Sequence, residues 1–140
     1  MSAGTFQREV WGIASQDQTI LALLPTFKGA PAIFRGSVAP KDCPFPFVIV
    51  RPDVRSGDGG TYRRRGGSVL VDIGIYDDLA NGEDVTEQIA SRIEDIFDRQ
   101  FIQPAGWRNS PISEVSRLSA PYDDGRTGIV VSIRIDATRE

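Results

Sequence analysis

The sequence contains no histidine and a single cysteine, Cys43, among its 140 residues. Histidine is the side chain most often used as a general base or metal ligand near neutral pH. Its absence excludes Ser-His-Asp triads and HExxH-type zinc sites, and one cysteine excludes an intrachain disulfide and a multi-cysteine zinc site. No histidine is present to activate Cys43, so we interpret it as an incidental thiol. No catalytic, cofactor-binding or metal-binding residue is therefore predicted.

Lysine is scarce as well. Only Lys28 and Lys41 are present among sixteen basic residues, which leaves fourteen arginines. Arginine is suited to bidentate pairing with carboxylates and is enriched at protein interfaces. The formal net charge of −3 is unlike that of most duplex-DNA binders, which are basic. The excess of arginine over lysine therefore favours a binding function over a catalytic one.

Long hydrophobic runs are also missing. The first nine residues lack the apolar stretch of a secretory signal, and unbroken apolar runs such as residues 47–50 are far too short to span a bilayer. We therefore expect a soluble protein made in a reducing compartment, with no membrane partner. A hydrophobic content of 40% and a charged content of 25% are typical of a globular protein, and 140 residues fit one domain, 1–140.

Apolar periodicity predicts two helical regions, at residues 5–24 (in two pieces) and 83–100. Ser15 and Gln18 match a capping box for the second piece of the first region, and Asn81 is a candidate N-cap for the later helix. Strands are predicted at residues 32–35, 47–51, 69–76, 112–118 and 129–136. This order predicts an α+β fold with a largely antiparallel sheet, on which the N-terminal helices and one long central helix pack.

Charge is distributed unevenly along the chain. Residues 51–65 carry five arginines against two aspartates, whereas residues 72–98 carry nine acidic residues against one arginine. Glycines in the basic segment predict a mobile loop at about residues 55–67. The two blocks are either solvated faces of one molecule or complementary surfaces offered to another copy. The second alternative predicts an interface at Arg51, Arg55, Asp58, Tyr62, Arg63, Arg64, Arg65, Glu83, Asp84 and Glu87.

Other patterns have simpler explanations. The pairs Asp77/Asp78 and Asp123/Asp124 could serve acid–base chemistry or hold a hard metal, but each lies in a predicted turn, where aspartate is common for conformational reasons. The glycines at 57–60 lack the Lys-Ser/Thr pair and the following helix of a P-loop. Trp11 and Trp107 are interpreted as packing or interface residues.

The segment from Tyr62 to Arg65 combines an aromatic ring with three arginines. Such a combination can grip phosphates or single-stranded nucleic acid. Three arginines are fewer than a sequence-independent DNA-binding surface normally collects, and the same run is typical of an ion-pairing interface. We favour the interface, with a nucleic-acid-binding module as the alternative.

Three segments in order carry a resemblance to a known family. They are IFRGSVAPKDCPFPFVIV at residues 33–50, SVLVDIGIYD at 68–77 and IASRIEDIF at 89–97. Together with the N-terminal helical pair, this order resembles the tail terminator (tail completion) proteins of long-tailed bacteriophages, over about residues 5–135. Those proteins commonly carry an "aP…PFVVV" segment, a "V-x-I-x-I-Y/W" strand and an "A–I–I–L/F" helix. The loop rich in glycine and arginine departs from that pattern.

The resemblance implies a structural virion protein without enzymatic activity or cofactors. Such proteins form a ring, usually a hexamer, that caps the tail tube at its proper length and presents a surface to the head connector. The implied partners are other copies of the chain, the tail tube protein and the head–tail connector or stopper protein, with DNA only as passing cargo. The implied location is the head-proximal end of the tail, after assembly in the host cytoplasm. A head-completion or connector adaptor of the neck is the nearest alternative, and an enzyme that uses the aspartate pairs is a more distant one.

Replacing Arg63, Arg64 and Arg65 together with Glu should abolish ring formation or head–tail joining, because the loop loses three cations that meet an acidic partner. The fold should be unaffected, as judged by circular dichroism of the purified variant. Electron microscopy of particles made with the variant measures the effect. Tails that still terminate and join heads normally would show that the loop does not have this role.

Overall fold

A computed structural model describes residues 5–52, 54–56, 67–98, 100–104, 110–123 and 126–137. The described helices are α1 (Thr5–Ala14), α2 (Gln18–Leu21) and α3 (Asp84–Phe97), with a 3-10 turn at Leu79–Asn81. The described strands are β1 (Thr26–Phe27), β2 (Ala30–Pro31), β3 (Ile33–Arg35), β4 (Phe47–Val50), β5 (Val54–Ser56), β6 (Gly67–Asp78), β7 (Phe101–Ile102), β8 (Ser110–Asp123) and β9 (Arg126–Ala137). Most of the loop predicted at 55–67 lies outside these residues. No helix among them is long and apolar enough to cross a membrane.

The main sheet has the strand order β3-β4-β6-β9-β8-β7, and β5 pairs with β6. β3 runs parallel to β4, whereas the other described pairs in this sheet are antiparallel. The short strands β1 and β2 form a separate hairpin that precedes β3. The fold is therefore α+β, as the order of elements predicts, and its sheet is mixed.

One face of the sheet carries the main core. Side chains alternate between the two faces of a strand, and the register of β6 with β9 places two apolar rows side by side on one face. The members of these rows are Val69, Val71, Ile73, Ile75, Ile129, Val131, Ile133 and Ile135, all buried. Helix α1 covers them with Phe6 and Val10, and α3 with Ile89, Ile93 and Phe97. The helices thus lie on a single face of the sheet.

The opposite face carries a smaller aromatic cluster. Phe47 is buried there, and its ring centroid lies 5.4 Å from those of both Phe45 and Tyr76. The Tyr76 ring lies against the backbone of Gly74 and Gly128, where an added Cβ would come within 2.6 Å of ring atoms. Glycine at these two positions leaves the space in which the tyrosine ring packs on the sheet.

Helix caps differ from those predicted. Asp17, rather than Ser15, is the N-cap of α2, and its carboxylate accepts a hydrogen bond from the backbone N–H of Ile20 at 3.1 Å. The Ser15 hydroxyl donates instead to the Gly12 carbonyl in the last turn of α1. Glu83, rather than Asn81, is the N-cap position of α3, and it makes no capping side-chain hydrogen bond.

Element lengths also differ from those predicted. β8 spans fourteen residues, twice the predicted seven. The prediction was too short because register shifts near Ile112 and beyond Ala120 interrupt the alternating pattern of the strand. Strands β1, β2, β5 and β7 were not predicted, since two or three residues are too few to show a periodicity. The helix predicted at 83–100 is shorter, ending at Phe97.

Replacing Gly128 with Ala should lower the free energy of unfolding by about 1–3 kcal/mol, because the new methyl group would collide with the Tyr76 ring. In a Tyr76→Ala background the same change should cost less. Urea denaturation of the four chains in this double-mutant cycle measures the coupling.

The matched control is Gly12→Ala. Gly12 lies in α1, and an added Cβ would meet no atom within 4 Å. This change should stabilise the protein by about 0.5–1 kcal/mol. An equal cost of Gly128→Ala with and without the tyrosine ring would contradict the explanation through Tyr76.

Candidate functional site

The predicted interface residues occupy separate positions in the fold. The structure describes the side chains of four of the ten residues. Arg51 lies just after β4, beside Tyr76 on the sheet face opposite the helices, whereas the other three lie at the start of α3: Glu83, Asp84 and Glu87. The side chain of Arg55 lies outside the described part of the chain, as do Asp58, Tyr62, Arg63, Arg64 and Arg65. The predicted basic and acidic blocks therefore do not form one surface in the described residues.

Arg51 is hydrogen-bonded to the aromatic cluster through Tyr76. Its Nη2 atom donates to the Tyr76 hydroxyl at 2.8 Å, and its backbone N–H donates to the Asp72 carbonyl at 2.9 Å. Its Nε atom is buried and has no hydrogen-bond partner in the described residues. Asp72, which lies opposite Arg51, accepts a hydrogen bond from the Ser132 hydroxyl at 2.7 Å. These contacts hold the Arg51 side chain along the sheet.

Arg117 joins β8 to α3, a role that the sequence did not indicate. Its Nε atom donates to Glu94 at 3.1 Å, and its two Nη atoms form ion pairs with Glu94 and Glu87. Nη2 also donates to the Ser91 hydroxyl at 3.2 Å. The hydrogen bonds that Arg117 donates to Glu94 and Glu87 raise the pKa of its guanidinium. Glu87, a predicted interface residue, is therefore already paired within its own chain.

Asp17 joins α2 to α3. Besides capping α2, its carboxylate accepts hydrogen bonds from Nη2 and Nε of Arg92, at 2.8 and 3.1 Å. These hydrogen bonds lower the pKa of the Asp17 carboxyl below its ordinary value of 3.8. The bidentate geometry fixes the short helix against the long one.

The remaining negative charge of α3 faces solvent. Asp84, Asp95 and Asp98 are exposed and have no ion pair with the described part of the chain. Asp95 also lines an open groove of about 420 Å³ between α2 and α3, with Leu23 and Thr19 on the α2 side. We call Asp84, Asp95, Asp98 and this groove the acidic α3 surface.

Two cation–aromatic contacts lie at the β3 edge of the sheet, Arg35 with Trp11 on the helix face and Lys28 with Phe27 on the opposite face. The Arg35 guanidinium lies over the Trp11 ring, 5.1 Å from its centroid, and the Lys28 ammonium lies 5.3 Å from the Phe27 centroid. Phe27 in turn makes an edge-to-face contact with Phe34, with centroids 5.9 Å apart. We call these five residues the cation–aromatic edge. Of its members, only Trp11 was assigned a packing or interface role from the sequence.

Trp11 also forms a hydrogen bond with the backbone of the edge strand. Its indole Nε1 donates to the Ile33 carbonyl at 3.1 Å. Ile33 lies in β3, the outermost strand on this side of the sheet. The tryptophan thus fixes α1 to the sheet edge while one face of its ring supports Arg35.

The predicted acidic pairs have structural partners. Asp77 is buried at the end of β6, where its carboxylate accepts from the backbone N–H of Asp78 at 2.8 Å and from the Asn81 amide at 3.0 Å. Strand pairing places Asp78 and Asp123 on either side of Arg126. Asp124 lies outside the described residues. Asp78 and Asp123, one member of each pair, thus occupy backbone positions on the two sides of one arginine.

Cys43 is half-buried beside the aromatic cluster. Burial raises the pKa of its thiol, and the nearby Arg126 guanidinium opposes this rise. A raised pKa lowers the thiolate fraction at neutral pH and hence the nucleophilicity of the thiol. Within the described ranges, no three or more His, Cys, Asp or Glu side chains are grouped so as to hold a metal ion.

Comparison with known proteins identifies the fold. The sequence matches no family model and no curated protein. The structure superimposes on a chain from the virion of a native gene transfer agent particle, with a TM-score of 0.69, 16% sequence identity and coverage of 96% of both chains. A second solved structure, described without a function, has a TM-score of 0.60 and 12% identity over 96% of this chain and 91% of the other. The three chains share a fold across nearly their whole lengths.

Replacing Asp17 with Ala should lower the free energy of unfolding by about 1 kcal/mol at neutral pH, since the N-cap is lost. Asp17→Asn keeps one oxygen that can cap the helix, and it removes the charge and one acceptor oxygen that pair with Arg92. The folded pKa of Asp17 lies below its unfolded value, so the charge stabilises the fold above pH 3.8 and this contribution is lost as pH falls through the folded pKa.

Urea denaturation of the wild type and Asp17→Asn at a series of pH values tests this. The wild type should be the more stable at pH 7, and the difference should shrink to zero in acid. A difference that is independent of pH would show that the Arg92 pair does not stabilise the fold.

Proposed function

We propose that this chain is a structural virion protein, a tail terminator whose ring caps the tail tube and provides the joining surface for the head connector. The observation that carries the proposal is the shared fold with a chain of a gene transfer agent virion, a phage-like particle, over 96% of both chains. A match of this extent includes both helical regions and the whole sheet.

The arrangement of the three segments that resemble tail terminators supports the proposal. The first forms the parallel pair β3–β4, the second lies in β6 next to β4, and the third lies in α3, which packs on β6. Segments separated in the sequence thus form one continuous part of the fold. Their order and their packing both fit the resemblance.

The proposed role requires neither catalysis nor a cofactor. The partners are other copies of the chain in a hexameric ring, the tail tube protein and the head–tail connector or stopper protein, and DNA only passes through. The site of action is the head-proximal end of the virion tail, after assembly in the host cytoplasm. A ring with head-to-tail contacts needs two different complementary patches on each subunit, and the described surface carries both cationic and acidic candidates.

Deleting the gene in a strain that produces the particles tests this role. A missing terminator should leave tail tubes without a defined end, so we expect tubes of abnormal length that are not joined to heads. Electron microscopy measures the length of the tubes and whether they are joined to heads. Immunogold labelling of wild-type particles locates the protein. The control is a plasmid copy of the gene, which should restore normal tails.

The alternatives predict different outcomes. Unjoined tails of normal length would identify a head-completion or connector adaptor of the neck instead. Normal, joined particles that lack the protein would contradict any role in the neck. A steeply salt-dependent affinity of the purified chain for DNA would favour the nucleic-acid-binding module.

A further inference from the structure

The cation–aromatic edge and the acidic α3 surface are built from different elements of the fold. β3 forms one edge of the sheet, next to α1, which packs on β3, β4, β6 and β7. Helix α3 packs on β6, β9 and β8, towards the other edge. In the described residues, neither Lys28 nor Arg35 forms an ion pair with an acidic side chain. Within the described residues, Lys28, Arg35, Asp84 and Asp95 are thus not used in ion pairs.

The edge has the composition of a binding surface. Residues 25–36 contain Lys28 and Arg35 and no acidic residue. Both cations are exposed, and each rests on an aromatic ring. A guanidinium has five N–H donors, so Arg35 can lie over the Trp11 ring and still donate to a carboxylate. Aromatic residues and arginine dominate the energetics of protein interfaces, so this edge fits an acidic protein partner.

The acidic α3 surface offers the matching chemistry. Residues 84, 88, 91 and 95 follow helical spacing and form one stripe on the exposed side of α3, with aspartate at both ends. Leu23, Arg92 and Asp95 line the groove beside this stripe, and the Arg92 charge is already paired with Asp17. Such a groove suits a long cationic side chain, whose aliphatic stem can pack on the leucine while its charged end meets the carboxylate.

From this complementarity we infer that the cation–aromatic edge of one copy binds the acidic α3 surface of a second copy. Lys28 and Arg35 meet Asp84 and Asp95 of the neighbour. The two surfaces differ, so the contact is heterologous: one copy keeps a free helix surface and the other a free edge for further neighbours. The inference rests on the proposed ring and assigns its contacts to residues other than those of the 55–67 loop.

A charge-swap experiment tests this contact on the purified full-length chain. One variant reverses the edge (Lys28→Glu with Arg35→Glu), and the other reverses the helix surface (Asp84→Lys with Asp95→Lys). All four side chains are exposed, so both variants should fold, which circular dichroism and thermal melting check. The matched control, Lys41→Glu with Arg134→Glu, reverses two exposed cations outside both surfaces.

Sedimentation velocity and light scattering over a wide concentration range measure association. We expect the wild type and the control to self-associate, and each reversed variant to lose about tenfold or more in association constant. An equimolar mixture of the two reversed variants should associate again, because each acidic edge then meets a basic helix surface. The subunits must alternate in such a mixture, so closed assemblies should contain even numbers of subunits.

Three results would overturn the inference. They are a mixture that does not regain association, a control that loses as much as the edge variant, and a wild type that stays monomeric throughout. Loss of DNA binding on edge reversal, with self-association intact, would assign the edge to nucleic acid instead. Gene deletion tests the role in the particle independently, so a protein located at the tail end that fails the charge swap keeps the proposed function and loses only this contact.

Discussion

The fold depends on the antiparallel pairing of β6 with β9. In this register Val71 lies opposite Ile133, and Ile73 lies opposite Val131, so one face of both strands is continuously apolar. A slip by one residue would turn these side chains towards solvent, which fixes the register strongly. Because the apolar face must be covered, α1 and α3 lie on the same side of the sheet. The positions of the charged surfaces follow from that arrangement.

Much of the charge is used to hold elements together. Arg117 forms ion pairs with two carboxylates of α3, and Arg92 pairs with the Asp17 cap of α2. The acidic block in residues 72–98 therefore overstates the charge available to a partner, since Glu87 and Glu94 are already paired within the chain. What remains exposed on α3 is a narrower set of aspartates. The structure thus reduces a broad charge pattern to a small, defined surface.

The sequence was most informative for elements whose apolar residues recur with a regular spacing. The alternating residues of β6 and β9 and the apolar stripe of α3 predicted those elements correctly to within a few residues. Prediction failed where the determining partner is distant in the chain. Asp17 caps α2 while it binds Arg92, 75 residues away, and the local pattern favoured Ser15 instead. The β8 bulge likewise hid both the length of that strand and the side on which Arg117 lies.

The candidate surfaces could not be predicted from the sequence for the same reason. The cation–aromatic edge joins residues from α1, the β1–β2 turn and β3, and no local motif connects them. The sequence favoured the arginine-rich segment because its cations are consecutive. Three-dimensional proximity, rather than consecutive order, brings Arg35 to Trp11.

The hydrogen bond from Trp11 to the Ile33 carbonyl has a consequence for how copies of this chain can combine. An uncovered edge strand offers free backbone groups to any passing strand, which is how sheets fuse into larger aggregates. β3 has only three residues, and Trp11 occupies one of its outward carbonyls. A neighbouring strand therefore finds fewer free backbone groups at this edge, which disfavours extension of the sheet from one copy into the next.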